Sequence, residues 1–267
     1  MFTLQIIDFH THIYPDAVAR KATQSVRDFY QIGSGGLSGT VDQLFKSMEQ
    51  TGTSHSVALA VAIKPVGVDK INDFAASQMQ KYPDKITAYG TVHAAMESIE
   101  EEVQRIESLG LQGVKIHPDS QVFPVDDLRM YPVYDMIQGK LPLMIHMGDH
   151  RYNYSHPLRL RKILDAFPRL QVIAAHFGGF SMYEAAYDCL YDTQCVMDVS
   201  SSLMFMPHGE PEKYIRAYGA ERFLYGSDFP IWDPVGELER FKQLKLTDDE
   251  FEQIASKTAL RILEKGK

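Results

Sequence analysis

The feature that most constrains the fold is a regular alternation of short apolar runs and longer amphipathic stretches along nearly the whole chain. Most of the apolar runs are continuous, as expected of strands that are covered on both faces in a parallel sheet. Eight strand-then-helix units in about 250 residues are typical of a (β/α)8 TIM barrel, an α/β fold that we therefore predict. The predicted strands are Leu4–Phe9, Ser56–Ile63, Ile86–Val92, Gln112–Ile116, Leu143–His146, Gln171–Ala175, Cys195–Val199 and Arg222–Tyr225.

Helices are predicted in the intervals between the strands. One begins with a capping-box pair, Thr40 and Gln43, and stops at Gly52. A doubly wound open sheet uses the same units and is the alternative fold, but no G-x-G-x-x-G motif follows the first strand. Because no linker or internal repeat is found, residues 1–267 are predicted to form a single domain. The predicted helices are Thr40–Gln50, Ser98–Leu109, Leu158–Phe167, Met182–Tyr191, Glu212–Tyr218 and Asp248–Lys265.

The overall charge and composition exclude several classes of partner. The formal net charge is -8, so no basic face is expected that could neutralise the phosphates of a nucleic acid. No signal-peptide pattern and no apolar run long enough to span a bilayer is found, which argues against a membrane partner. The two cysteines, Cys189 and Cys195, form neither a CxxC motif nor a disulfide framework. We therefore expect a cytoplasmic protein that acts on a small molecule.

The histidines collect at the predicted C-terminal ends of the strands, where TIM barrels carry their chemistry. Asp228 follows the eighth strand in the same way. Random placement would have scattered these side chains over both ends of the barrel. Six of the ten histidines stand at or just past a strand end: His10, His12, His93, His117, His146 and His176.

The strongest local signal is the H-x-H motif of His10 and His12 at the end of the first strand. Side chains two residues apart on a strand share a face, so the two imidazoles can converge on a borderline metal such as Zn²⁺. Alone, the motif is equally compatible with two surface histidines. Further histidines and an aspartate at the ends of other predicted strands favour the metal site. A carboxylate such as Asp228 could bind the metal or take a proton from water.

Two further motifs add polar groups to the predicted barrel mouth. Lys115 and His117 share a face of the fourth strand. A buried lysine there would have to pair with Asp8 or Asp228, bind an anionic substrate, or be carboxylated into a metal bridge. We favour pairing or substrate contact. His146 and His176 each end a strand, and each taken alone could be a core histidine bonded to the backbone.

Together, H-x-H, G-V-K-I-H-P, I-H-M-G, A-H-F-G-G and G-S-D-F-P occur in an order that resembles the amidohydrolase superfamily. The closest resemblance is to its amidohydrolase-2 branch of metal-dependent hydrolases and decarboxylases, related to aminocarboxymuconate-semialdehyde decarboxylase. The resemblance implies that one divalent metal is held by His10, His12, His146 and Asp228. It further implies acid–base chemistry by His176. Binuclear relatives bridge two metals with a carboxylated lysine, a role for which Lys115 is the candidate.

Three functions follow from this constellation. The first is hydrolysis of an amide, ester or lactone by metal-activated water, with Asp228 or His176 as the proton acceptor. Lys115, His117 and Arg151 would anchor a substrate carboxylate, and Arg151 could do so bidentately. The alternative is non-oxidative decarboxylation of a small aromatic or unsaturated acid. The third is a barrel that binds metal without catalysing a reaction. It is disfavoured because the chain keeps both the residues that would bind the metal and the acid–base residues, His176 and Asp228.

Nitrogen and oxygen ligands do not select one metal. Zn²⁺ is our first choice, with Mn²⁺, Fe²⁺ and Co²⁺ as alternatives. A homodimer is expected from family analogy alone.

Overall fold

The computed structural model describes residues 5–265, and in it eight parallel strands form one sheet in sequence order. The prediction of a TIM barrel is confirmed, and every predicted strand is present. Leu4, the first residue of the first predicted strand, lies outside the described residues. The strands are β1 Ile6–Thr11, β2 Thr53–Leu59, β3 Ile86–Thr91, β4 Val114–Ile116, β5 Leu143–Ile145, β6 Val172–Ala174, β7 Val196–Asp198 and β8 Phe223–Leu224.

Helices follow the strands and surround them. Each of the six predicted helices has a counterpart, although the last is divided by a π-helical segment, Gln253–Lys257. The helices are α1 Asp16–Tyr30, α2 Val41–Thr51, α3 Val68–Lys81, α4 Ile99–Ser108, α5 Pro118–Gln121, α6 Tyr131–Ile137, α7 Pro157–Ala166, α8 Tyr183–Leu190, α9 Glu210–Tyr218, α10 Pro234–Lys242, α11 Asp248–Glu252 and α12 Thr258–Lys265.

The ends of α2 show why the sequence could predict this helix. The hydroxyl of Thr40 accepts a hydrogen bond from the backbone N–H of Gln43 at 3.2 Å, which satisfies a donor that the helix cannot pair internally. At the other end Gly52 adopts the left-handed conformation, with φ 70°, and its N–H bonds to Met48. A residue without Cβ adopts this conformation at little cost, so the helix ends there.

Backbone hydrogen bonds join β1 to the segment that includes and follows β8. The N–H of Phe9 donates to Tyr225 O at 2.9 Å, and Thr11 forms a parallel bridge with Phe229. The barrel is thereby nearly closed, and the first and eighth strand ends are brought side by side.

Two layers of apolar side chains stabilise the barrel. Residues such as Val114 and Val172 pack between the strands and the helices. Another buried cluster includes Phe9, Tyr89 and Met144, and α12 contributes Ile262 to it. Across residues 5–265, no helix combines the length and the apolarity that crossing a membrane requires.

Candidate metal centre

The contact between β1 and the loop after β8 places three predicted ligands together. The N–H of Asp228 donates to His10 O at 2.8 Å, and the N–H of His12 donates to Phe229 O at 2.7 Å. Gly226 makes this approach possible, since a Cβ at this position would lie 2.7 Å from the Cβ of His10. The backbone therefore fixes Asp228 beside the H-x-H motif before any side chain is considered.

A local irregularity in β1 aims the two histidines at the barrel mouth. Phe9 belongs to the same buried cluster as Met144 and Ile173, whereas His10 and His12 line a cavity. The register between β1 and β2 shifts between Asp8 and Thr11, where this change of side occurs. Such bulges re-aim side chains next to active sites. The structure thus places His10 and His12 at the same cavity.

The hydrogen bonds of the two imidazoles at Nδ1 leave their Nε2 atoms unprotonated. His10 Nδ1 lies 2.9 Å from Asp198 Oδ2, and His12 Nδ1 lies 2.8 Å from Leu59 O. Since a carboxylate and a carbonyl oxygen only accept, both rings carry their proton on Nδ1. Ligand histidines commonly donate their other N–H to such partners.

The spacing of the donor atoms fits one divalent ion. Asp228 Oδ1 lies 3.5 Å from His10 Nε2 and 3.4 Å from His12 Nε2. Two donors about 2.1 Å from a tetrahedral ion are separated by about 3.4 Å, so the three atoms could bind the same ion with little movement. His10, His12 and Asp228 therefore form a group that fits one metal ion.

Asp228 is held in a strained conformation and stays ionised. Its φ is 58°, which is uncommon for any residue but glycine and is frequent at functional sites. Ser201 donates to its Oδ2 at 2.5 Å. Burial alone would raise the pKa of Asp228, but the electrostatic influence of the neighbouring imidazoles, His10 first, outweighs it and holds the pKa well below its usual value. A carboxylate is therefore present at neutral pH.

His176 and His146 lie next to this group and are hydrogen-bonded to each other. His176 Nδ1 lies 3.0 Å from Ser200 O, so it donates and leaves Nε2 as an acceptor. His146 Nδ1 then donates to His176 Nε2 at 3.0 Å. His146 Nε2 in turn accepts from the Tyr30 hydroxyl at 3.2 Å. The direction of this series of hydrogen bonds is thus set by a backbone carbonyl at one end.

The position of His146 differs from those of the other predicted ligands. Both of its ring nitrogens are hydrogen-bonded, and it does not belong to the closely spaced group of His10, His12 and Asp228. It is grouped more closely with His117, whose ring stacks on it at 3.8 Å between centroids, and with Asp119. Binding of His146 to the same ion would require it to release Tyr30 or His176, and its role stays a prediction.

Lys115 lies at the floor of the site and is only 1% exposed. Its Nζ is 3.5 Å from His10 Nε2. Burial lowers the pKa of Lys115 to about 8, although the charges of Asp198 and Asp228 act in the opposite direction. Lys115 and His117 both line the cavity at the barrel mouth, as predicted.

Arg151 has its charge and its donors already engaged. Its Nη2 and Nε atoms bond to the carboxylate of Asp149, at 2.6 and 2.9 Å for the shortest contacts, and Nη1 donates to Phe29 O at 2.7 Å. The guanidinium also lies 4.9 Å from the ring centroid of Phe29. The bidentate fork that was predicted for a substrate carboxylate is therefore used within the protein.

A cavity of about 500 Å³ opens above the site. His10, His12, Lys115 and Asp228 line its floor. Helix α1 crosses the mouth and supplies apolar wall residues, including Val26 and Phe29. The cavity therefore offers a polar floor and an apolar wall, as small-molecule sites commonly do.

Sequence reasoning missed four residues of this site. Asp198 is the last residue of β7, and Ser200 and Ser201 follow it; this polar run at a strand end was a usable signal. Tyr30 is the last residue of α1, a helix that the sequence analysis did not define. Nothing local to its sequence indicates that its hydroxyl reaches His117 and His146, at 2.8 and 3.2 Å.

Comparison with known proteins was made by family and by structure. A family model described as Amidohydrolase matches residues 7–265. An uncharacterised TIM-barrel protein from Bordetella bronchiseptica superposes with a TM-score of 0.84 at 22% identity, covering 98% of this chain and 99% of the other. A 5-carboxyvanillate decarboxylase from Sphingomonas paucimobilis superposes with a TM-score of 0.74 at 17% identity, and the match covers 98% of this chain and 99% of the other.

A third similar structure was solved with ligands. A dihydroxybenzoic acid decarboxylase from Polaromonas, with bound manganese and the inhibitor 2-nitroresorcinol, gives a TM-score of 0.76 at 16% identity, covering 99% of this chain and 98% of the other. At these identities the structural matches establish the shared barrel fold, and the family match covers nearly the whole chain.

Proposed function

The chain belongs to the amidohydrolase family of metal-dependent enzymes, and from this premise we propose that it hydrolyses an amide, ester or lactone of a small organic molecule. One observation carries the proposal. An ionised Asp228 faces the unprotonated Nε2 atoms of His10 and His12 at 3.5 and 3.4 Å, with the imidazole pair of His146 and His176 beside them. This arrangement suits the activation of water next to an acid–base group.

We propose that His10, His12 and Asp228 hold one divalent ion and that His146 joins them after releasing Tyr30. When bound, such an ion lowers the pKa of water and polarises a carbonyl. Asp228 accepts the proton of the attacking water, since Ser201 holds its other carboxylate oxygen in place at 2.5 Å. His176 releases its hydrogen bond with His146, takes that proton from Asp228 on Nε2 and passes it to the leaving oxygen or nitrogen, so both residues end the reaction as they began. Water is consumed, and the acid and the leaving group each gain part of it.

Substrate anchoring falls to the cations and imidazoles of the cavity. We propose that Lys115 and His117 contact a carboxylate of the substrate, since both line the cavity. Arg151 contributes less to substrate binding than its charge alone would suggest, because its Nε and Nη2 atoms already donate to the carboxylate of Asp149.

Decarboxylation of a small aromatic or unsaturated acid is the second candidate. It is favoured by the structural likeness to the 5-carboxyvanillate and dihydroxybenzoic acid decarboxylases. The same residues would serve, with His176 or Asp228 protonating the carbon that loses CO₂.

The two reactions are separated by what is consumed and released. Zinc- or manganese-loaded protein is incubated with a cyclic ester, an amide and an aromatic acid, and both CO₂ and the hydrolysis products are measured. Hydrolysis without CO₂ supports the proposal, whereas CO₂ release without net water consumption replaces it by decarboxylation. His176→Asn should keep the bound metal and abolish turnover. If turnover survives, His176 has been misassigned.

Several finer points are proposals as well. We propose Zn²⁺ as the physiological ion, with Mn²⁺, Fe²⁺ and Co²⁺ as alternatives; two similar structures were solved with manganese. We propose that residues 1–267 form one domain, because the family match spans residues 7–265. A homodimer and a cytoplasmic location stay predictions.

A further inference from the structure

A second, smaller cavity joins the metal centre from another side. Its volume is about 260 Å³, and it shares Tyr30, His146, His176, Asp228 and Ile231 with the larger cavity. The two cavities therefore meet at the residues to which we assign the acid–base chemistry. Tyr30 forms part of the wall between them, because its hydroxyl is held by His117 and His146 at 2.8 and 3.2 Å.

Three aromatic side chains, Phe180, Phe205 and Trp232, line one wall of the smaller cavity. The rings of Phe180 and Phe205 meet edge to face with centroids 5.9 Å apart, and Phe205 meets Trp232 at 6.0 Å. Phe205 is 51% exposed, so its ring stands at the rim. Flat aromatic walls of this kind pack best against another ring.

Two polar groups of the lining, Arg151 and His150, are already paired with protein partners. Arg151 is neutralised by Asp149, with a closest contact of 2.6 Å. His150 Nδ1 lies 2.8 Å from the hydroxyl of Ser181. A charged ligand would therefore have to displace an internal partner, whereas an uncharged ring would displace only water.

The aromatic wall is also connected to the catalytic carboxylate. Trp232 Nε1 donates to the Ser201 hydroxyl at 2.8 Å, and Ser201 donates to Asp228 Oδ2 at 2.5 Å. Ser201 itself has a positive φ of 51°. A group bound against Trp232 would thus lie next to the residues that hold Asp228 in position.

We propose that the smaller cavity binds an uncharged aromatic or cyclic leaving group, while the larger cavity binds the acyl part of the same substrate. This inference rests on the proposed hydrolytic function. The cleaved bond would lie where the cavities meet: water adds its hydroxyl to the carbonyl carbon, and the leaving oxygen or nitrogen takes a proton. The substrate class is therefore an ester or amide of a ring-bearing alcohol or amine.

The binding part of the proposal can be tested without turnover. Trp232 is the only tryptophan of the chain and is half-buried in this cavity, so its emission reports on the cavity directly. Zinc-loaded protein is titrated with benzyl alcohol, a ring-bearing product of this class, and with methanol as the ringless control. We expect a saturable change in Trp232 emission with benzyl alcohol and none with methanol. An absent response to benzyl alcohol overturns the proposal.

Two variants locate the binding site. Phe205→Ala removes one aromatic contact and should weaken benzyl alcohol binding by about three- to tenfold. Val26→Ala alters only the wall of the larger cavity and should leave this affinity unchanged. If Val26→Ala weakens binding as much as Phe205→Ala does, the ring binds elsewhere and the assignment is wrong.

A kinetic comparison separates this inference from the proposed function. If hydrolysis is found, Phe205→Ala should raise KM for a benzyl ester and leave KM for the matching methyl ester unchanged. Equal effects on both esters would contradict the leaving-group assignment. If no ester or amide is hydrolysed but benzyl alcohol still binds at Trp232, the hydrolytic function fails while the ring-binding cavity stands.

Discussion

Nδ1 of His10 lies 2.9 Å from the carboxylate of Asp198, and both side chains are almost completely buried. Because the carboxylate only accepts hydrogen bonds, it fixes the proton of His10 on Nδ1 and leaves Nε2 facing Asp228. Burial alone would raise the pKa of Asp198, but attraction to His10 and their hydrogen bond outweigh it and hold the pKa below its usual value. Asp198 therefore decides which nitrogen of His10 is available to a metal.

The first prediction concerns this pair. Asp198→Asn offers an amide that can donate to His10 and so favour the wrong tautomer. Loss of such a partner typically weakens metal binding by about 10- to 100-fold. Competition with a chromophoric chelator for zinc measures the change. Asp165→Asn, at an exposed carboxylate paired with Arg161 at 2.9 Å, is the matched control. Equal zinc affinity of the wild type and Asp198→Asn would contradict the orienting role.

The second prediction concerns the close approach of Gly226 to His10. In Gly226→Ala the new Cβ would lie 2.7 Å from His10 Cβ, so either β1 or the loop after β8 must move. We expect a loss of about 1–3 kcal/mol in the free energy of unfolding, as for other overpacked sites, together with weaker zinc binding. Urea unfolding of the metal-free protein measures the first effect.

Gly236→Ala is the control for this substitution. Gly236 lies in α10, and the nearest contact of a Cβ there is 3.4 Å from the flexible end of Arg240. Alanine in place of a helical glycine should raise stability by about 0.5–1 kcal/mol. If both alanine variants behave alike, steric contact with His10 is not what requires glycine at position 226.

The third prediction concerns the pH dependence of stability. Glu237 is 1% exposed, and burial raises its pKa to about 7 although Arg240 acts to lower it. Between the ordinary value of 4.5 and about 7, the folded protein keeps a proton that the unfolded chain has released. The free energy of unfolding must therefore fall as the pH rises through this window, by up to about 1.4 kcal/mol per pH unit from this group.

Glu237→Gln removes that proton exchange. Urea unfolding at several pH values between about 5 and 7 should show a smaller loss of stability with rising pH in Glu237→Gln than in the wild type. Glu239→Gln, at an exposed position of the same helix, should follow the wild type. Parallel pH profiles of the wild type and Glu237→Gln would show that Glu237 is ionised throughout.

The barrel could be predicted from the sequence because its cause is local and repeated. A run such as Gln171–Ala175 is continuous and apolar, which is what a strand buried on both faces requires. All predicted strands but the first were longer than the observed ones; β8, for example, comprises only Phe223 and Leu224. Hydrogen bonding between neighbouring strands sets those ends, and it depends on residues far apart in the chain.

The candidate site could be predicted only in part. Strand-end position correctly brought His10, His12 and Asp228 together, because parallel strands deliver their C-terminal ends to the same face. The hydrogen bonds of Tyr30 to His146 and of Asp198 to His10 could not be foreseen, since they join residues 116 and 188 positions apart. The ion pair of Arg151 could not be predicted either, although its partner Asp149 lies only two residues away in the chain. The sequence of a loop does not show whether two neighbouring charged side chains contact each other.

The most direct test of the account is the metal content of the purified chain. After removal of metal and reconstitution with zinc or manganese, the wild type and the control His208→Asn, at an exposed histidine, should each retain one equivalent per chain after desalting. His12→Asn and Asp228→Asn should lose it while keeping the circular dichroism of the fold. A wild-type protein that retains no stoichiometric ion, or an Asp228→Asn variant that still binds one as tightly, would contradict the metal centre on which the proposed function rests.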